Sequence, residues 1–314
     1  MSKKTRIAIL GMGGVGGYFG GMLAKKYSHS DAYEIIFIAR GASEKVIRDK
    51  GLKLITATEE TTVFPDLVSN DAKIIGNINF LICCVKSYDL EESLTPLKDC
   101  ISSKTIILPL LNGVDASERI LKITDEAEVW DGCAYIISRL IEPGVVKETG
   151  NLHSIYFGSE ATSSDNLKSF EKILKGANIE CHLSDNIKQT VWEKYLLIST
   201  IGSLTSYLDE SIGHILANLN HKIMLRQLLQ ELKSIADAKK INLPEDIIEK
   251  TIAKMESMPY GATSSMHSDF KKGGQTEYAS LTGYVTKLGK EMKIPIPTYD
   301  LVSEGLQVKI NSVI

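Results

Sequence analysis

The stretch Arg6-Ile-Ala-Ile-Leu10, running directly into Gly11-Met12-Gly13-Gly14-Val15-Gly16, decides the fold. A short apolar strand feeds a GxGxxG turn, and an apolar helical pattern follows. In that context the glycines have distinct tasks. Gly11 permits the tight turn, Gly13 lets the backbone approach a pyrophosphate, and Gly16 lets helix and strand pack closely. Gly14 and Val15 begin the helix, whose free N–H groups and positive dipole end face the phosphates. The alternative is a glycine-rich turn without a ligand. Strand, spacing and helix agree on a dinucleotide site.

The second strand reads Tyr33-Glu34-Ile35-Ile36-Phe37-Ile38-Ala39 and ends in Arg40. An acidic residue there would hold both ribose hydroxyls of NAD, whereas an arginine accommodates the 2′-phosphate of NADP. Arg40 is therefore read as the phosphate clamp and NADPH/NADP+ as the cofactor. Lys45, one turn on, reads as a solvated helix residue.

The chain has 314 residues, enough for two domains. Its 36 basic and 39 acidic residues leave a net charge of −3. With no basic stripe interleaved with aromatics, nucleic acid is not an expected partner. No apolar run approaches membrane-spanning length, so no membrane association is expected. The first apolar stretch reads as a strand, not a signal peptide. The five cysteines form no CxxC pair, and Cys83 and Cys84 lie in an apolar run. They read as reduced thiols of a cytoplasmic protein. The six histidines show no ligand spacing, and no metal site is expected.

Candidate strands are Arg6–Leu10, Ile35–Ala39, Phe80–Val85, Thr105–Leu108 and Val129–Ser138, with Asn151–Phe157 and Glu180–Leu183 added at the far edge. Continuous apolar strands with helical crossovers imply a parallel sheet covered on both faces. Arg40, Lys86 and Asn112 follow strand carboxyl ends, where such sheets bind ligands. After Ser184 the pattern becomes helical. Asp185–Lys239 reads as two long helices, Leu243-Pro244 opens a third, and Thr276–Lys293 and Thr298–Ser312 supply two more. A polar loop spans Pro259–Gln275. The expected architecture is an α/β Rossmann-type dinucleotide-binding domain over 1–184, followed by an all-α C-terminal domain over 185–314. A cleft between them would hold a small substrate. The helical part has apolar surface enough for a homodimer, but nothing in the sequence requires one.

Hydride transfer to a carbonyl needs a positioned cofactor, a proton donor and a substrate anchor. Lys194, in Val191-Trp192-Glu193-Lys194-Tyr195-Leu196-Leu197, shares a helix face with Ile198, Ile201 and Gly202. A lysine on an apolar face either snorkels to water or carries chemistry; composition alone leaves both open.

The chain resembles the ketopantoate reductases, which reduce 2-dehydropantoate to pantoate with NADPH on the route to pantothenate and coenzyme A. The resemblance runs nearly end to end. It rests on GMGGVGGYFGG, the Arg40 position, Val85-Lys86-Ser87-Tyr88 and Leu111-Asn112-Gly113-Val114. It continues through Trp192-x-Lys194, Ser264-Ser265-Met266-x-x-Asp269 and Thr276-Glu277. It implies that Lys194 protonates the product oxygen and that Ser265 contacts the substrate carboxylate. It implies that Glu277 lies at the active site near cofactor and lysine, and that Lys86 and Asn112 face the cleft. Lys194 and Glu277 are then catalytic. Asn112, Lys194 and Ser265 bind the 2-oxo acid. Gly11, Gly13, Gly14, Val15, Gly16, Arg40, Lys86, Asn112 and Glu277 bind the cofactor. Read without the resemblance, Ser265 is a loop hydroxyl, Glu277 a helix-start acid and Asn112 a turn former.

The resemblance breaks at three positions. Asparagines usual in the family four and eight residues after the lysine are Ile198 and Gly202 here, and one three residues before the substrate serine is Ala262. Ser199 and Ser203 are rotated one helical step away from that face. A substrate more apolar than ketopantoate is therefore the second reading, and a non-catalytic NADP(H)-binding sensor is a third.

Overall fold

The computed structural model describes residues 4–160 and 164–311, so Ser312 of the last expected helix lies outside the described residues. The chain divides into two compact units: Met1–Leu111 with Asp115–Ile187, and Asn112–Val114 with Lys188–Ile314.

The first unit contains β1 (Thr5–Leu10), β2 (Tyr33–Ile38), β3 (Leu52–Ile55), β4 (Glu60–Val63), β5 (Leu67–Val68), β6 (Phe80–Cys83), β7 (Ile106–Pro109), β8 (Glu128–Val129), β9 (Asp131–Glu142), β10 (Val145–Gly158) and β11 (Glu180–Leu183). Six of these form a sheet in the order β5-β2-β1-β6-β7-β8. Every pairing in it is parallel. Ile7, Ala8, Ile9, Ile35, Ile36 and Phe37 are fully buried at its centre. The run is continuous, not alternating, because both faces are covered.

The expectation of one sheet with added edge strands is corrected. The Val129–Ser138 segment breaks at Trp130, leaving β8 on the parallel sheet and sending β9 into a second sheet. There β9 pairs antiparallel with β10, and β10 continues to β11 and β3. Asn151–Phe157 and Glu180–Leu183 thus belong to this second sheet. The helix Gly14–Tyr27 packs on β9, β10 and β3. A Cβ on Gly17 would overlap Val146 of β10, so the second sheet touches the helix backbone itself. The core between the layers holds Phe19, Leu23, Leu52, Leu54, Trp130, Val146 and Phe157.

The second unit is helical, but its segmentation differs from the expected one. The stretch expected as two helices forms three: Ile187–Leu208, Ile212–Ala217 and Leu219–Ala238. Asp209 with φ 56° ends the first. Asn218 starts the third by accepting hydrogen bonds from the Asn220 and His221 amides. After Leu243-Pro244 the chain turns before its helix Ile247–Glu256. The polar loop is interrupted by the helix Ser265–Lys271, and Thr276–Lys293 splits into a 3₁₀ turn, Glu277–Ala279, and the helix Thr282–Met292.

The last helix, Pro297–Asn311, is capped across the core. Glu231 accepts hydrogen bonds from the Thr298 and Tyr299 amides at 2.8 and 2.9 Å. Its charge also complements the positive end of that helix. Glu231→Ala is expected to cost about 1–2 kcal/mol of stability, read as a lowered denaturant midpoint at unchanged slope.

Candidate functional site

In the first unit the glycine turn has the shape its sequence implies. Gly11 sits at φ 92°, a backbone conformation that side chains rarely adopt, and a Cβ there would lie 2.8 Å from Val85 Cγ1. A Cβ on Gly16 would overlap the Gly11 carbonyl oxygen and sit 2.9 Å from Cys84 Cβ. Helix and strand therefore meet at backbone contact. Gly13 faces open space, with nothing within 4 Å of its Cβ position. It precedes the helix Gly14–Tyr27, which has no side-chain cap and no acidic residue in its first turn. A helix start without a side-chain cap and without negative charge in its first turn fits a pyrophosphate.

Arg40 sits two residues beyond β2, at the start of the helix Gly41–Lys50. Its guanidinium pairs with Asp89 at 3.2 Å and Glu92 at 2.9 Å, and half of the side chain stays exposed. These acids lie some 50 residues further along, and no sequence signal at the β2 end points to them. Exposed pairs of this kind are worth about 0–1 kcal/mol, so a phosphate dianion can compete for the arginine. Lys86, half-buried, precedes the short turn Ser87–Asp89 that delivers Asp89.

In the second unit three sequence-distant residues come together. Lys194, on the helix Ile187–Leu208, is 7 % exposed, and its Nζ donates to Asn112 Oδ1 at 3.2 Å. Asn112 Nδ2 donates to Glu277 Oε2 at 3.3 Å. Glu277, on its 3₁₀ turn, is 2 % exposed. The Asn112 amide has one orientation consistent with this arrangement. The ammonium only donates, so it needs the amide oxygen. The ionised carboxylate only accepts, so it needs the NH₂. The amide thus bridges a buried cation and a buried anion, the pairing that makes burial of either tolerable.

Asn112 reaches the helical unit because Asn112–Val114 groups with it. Gly113 at φ 111° makes the turn. Thr276 accepts from the Tyr278 amide and so starts the turn that carries Glu277.

Ser265 is exposed, at the first position of the helix Ser265–Lys271. The residues that hold this helix are Ser264, His267 and Asp209, to which sequence reasoning assigns no role. Ser264 Oγ caps it, accepting from the His267 amide at 2.9 Å and meeting Thr205 Oγ1 at 2.9 Å. Buried His267 meets Asp209 at 2.6 Å, and Lys271 reaches the same carboxylate at 3.2 Å. These contacts hold the Asp209 carboxyl below its usual range, His267 contributing most. The serine preceding Ser265 is an ordinary N-cap signal in the sequence; the His267–Asp209 pair has no local signal.

A two-sheet glycine-loop unit with a helical unit carrying a buried lysine defines a dinucleotide-dependent oxidoreductase. The family model for ketopantoate reductase PanE/ApbA matches residues 7–161, and that for its C-terminal part matches residues 186–309. The chain belongs to the ketopantoate reductase family. It is an oxidoreductase that uses a nicotinamide dinucleotide. Its sequence is similar to the uncharacterized oxidoreductase YkpB of Bacillus subtilis (strain 168), 26% identical over 304 residues, which are 96% of this chain and 98% of that protein. It is 23% identical to the 2-dehydropantoate 2-reductase of Halobacterium salinarum over 93% of this chain and 94% of that one. The structure is similar to that of 2-dehydropantoate 2-reductase from Porphyromonas gingivalis W83. The TM-score is 0.85 and the identity 30%, covering 97% of this chain and 99% of the other. Among the described residues no helix is long and apolar enough to cross a membrane.

Proposed function

We propose that this chain reduces a branched 2-oxo acid to the 2-hydroxy acid with NADPH, ketopantoate to pantoate being the first reaction to assay. The observation that carries the reading is the buried Lys194–Asn112–Glu277 chain. A cofactor bound at the glycine loop supplies the hydride. The residues do the rest. The Lys194 ammonium hydrogen-bonds the 2-oxo oxygen, stabilises the charge that develops there and gives up a proton to the alkoxide. Asn112 aims the ammonium through its Oδ1, and Glu277 holds Asn112. Ser265, exposed at a helix start, is suited to the substrate carboxylate. Gly11, Gly13, Gly14, Val15, Gly16, Arg40 and Lys86 hold the dinucleotide. In this reading residues 1–184 are the cofactor domain and 185–314 the substrate domain, with Asn112 crossing over in sequence. Five free cysteines suit a reducing compartment, and the cytoplasm is the proposed place of action.

Loss of reduced-nicotinamide absorbance with ketopantoate tests the reading. NADPH binding without turnover of any 2-oxo acid would favour the sensor reading. Arg40→Ala is expected to weaken NADPH about 10–100-fold while leaving NADH nearly unchanged, since only NADPH offers a 2′-phosphate to a charge-assisted contact. Equal losses for both dinucleotides would remove Arg40 from phosphate recognition.

A further inference from the structure

The two carboxylates that meet Arg40 stand on a segment whose backbone is fixed. Asp89 ends the turn Ser87–Asp89, and Glu92 lies on the helix Leu90–Leu94 that continues it. Leu90 and Leu94, one turn apart, are fully buried in the core that also holds Leu10 and Ile36. Arg119, on the helix Ala116–Ile123, ties the segment down from the other side. Its guanidinium donates to the two Glu91 carboxylate oxygens at 2.7 Å each and to the Ser87 carbonyl at 2.6 Å.

Opposite determinants of dinucleotide choice therefore meet at one point. At the end of the second strand an arginine accommodates a 2′-phosphate, whereas a carboxylate accepts a hydrogen bond from a 2′-hydroxyl. The sequence puts the arginine at that end, and the fold brings Asp89 to 3.2 Å and Glu92 to 2.9 Å of its guanidinium. The Arg40, Asp89 and Glu92 side chains are 52%, 29% and 75% exposed, so the group stands open to a ligand. A phosphate dianion at Arg40 has to share or displace both acids and is repelled by each. A 2′-hydroxyl carries no charge to repel and can donate to a carboxylate.

We propose that Asp89 and Glu92 set the dinucleotide selectivity of this chain: they hold down its preference for a 2′-phosphate and admit NADH beside NADPH. The inference rests on the reading of Arg40 as the phosphate clamp. Each exposed ion pair accounts for up to about fivefold in affinity. Two pairs together, with the repulsion of a dianion added, reach about tenfold.

The test is titration of the full chain with NADPH and with NADH, before and after Asp89→Asn combined with Glu92→Gln. These substitutions remove charge and keep shape. The unaltered chain is expected to bind both dinucleotides; NADPH bound without NADH would overturn the inference. In the double variant the ratio of the NADH Kd to the NADPH Kd is expected to rise by at least about fivefold. A smaller rise, a fall, or an equal change for both dinucleotides would overturn it. If Arg40→Ala still loses NADPH selectively, such a result removes this inference alone and leaves Arg40 as the clamp. If Arg40→Ala moves both dinucleotides equally, the clamp reading falls and the inference falls with it. Should the double variant not fold, Glu92→Gln alone, at its exposed position, is expected to raise the ratio by about twofold or more, and no rise overturns the proposal.

Discussion

Lys194→Ala is expected to lower kcat with ketopantoate by about 10²–10⁴, the usual contribution of a positioned general acid, with a much smaller change in KM. The split follows from the geometry. The ammonium is almost fully buried and held by Asn112 Oδ1 at 3.2 Å, so its position does not depend on substrate. Charge on the 2-oxo oxygen is greatest in the transition state, where the ammonium gains most. The substrate carboxylate, in this reading, is met by Ser265 on a different helix, and ground-state binding survives. Steady-state kinetics with intact NADPH affinity as the control checks it. A variant with near-normal kcat would remove Lys194 from proton transfer.

Gly16→Ala is expected to weaken NADPH binding, because it displaces the helix start whose N–H groups would face the pyrophosphate, and to cost about 1–3 kcal/mol of stability as overpacking does. The added Cβ would overlap the Gly11 carbonyl and press on Cys84 Cβ at 2.9 Å. Both neighbours are fixed. Gly11 N–H donates to the Ile38 carbonyl at 3.1 Å, and the Cys84 amide donates to the Leu10 carbonyl at 2.8 Å. The helix start must therefore move, and with it the N–H groups that would face the pyrophosphate. Fluorescence titration of NADPH and a thermal melt read the two effects separately. Gly13→Ala is the contrast, because its Cβ enters open space. It is expected to leave stability nearly unchanged while obstructing the dinucleotide. Near-normal NADPH affinity in Gly16→Ala would show that the close approach is dispensable.

Lys194 and Gly16 are both legible in the sequence, Gly16 more fully. The β1–glycine–helix pattern is local: strand, turn and helix start are adjacent in sequence, and each glycine's task follows from its place in the motif. The all-helical second unit is legible from its texture, but its breaks are not. Asn218 acts as a cap inside a long apolar periodicity, and the break before the helix Thr282–Met292 has no side-chain cap to announce it. Asp89 and Glu92 at Arg40, and Asp209 at His267, lie 49, 52 and 58 residues from their partners. No local rule finds such pairs.

The two sheets of the first unit mark the same boundary. β8 and β9 are separated by Trp130 alone. Nothing in the alternation of residues there says that the chain leaves a parallel sheet for an antiparallel one. That switch is set by what each strand packs against: the helix Gly14–Tyr27 presents Gly17 to Val146 on one side and Phe19 to the first sheet's core on the other. By itself the sequence determined the dinucleotide turn, because its geometry is confined to adjacent residues whose backbone constraints are absolute. It determined the apolar character of the Lys194 helix face in the same way, through a fixed helical period. Only the tertiary structure decided that Lys194, Asn112 and Glu277 form one hydrogen-bonded chain. Eighty-two and 165 residues separate Asn112 from its two partners, and such a meeting is produced by packing, not by propensity.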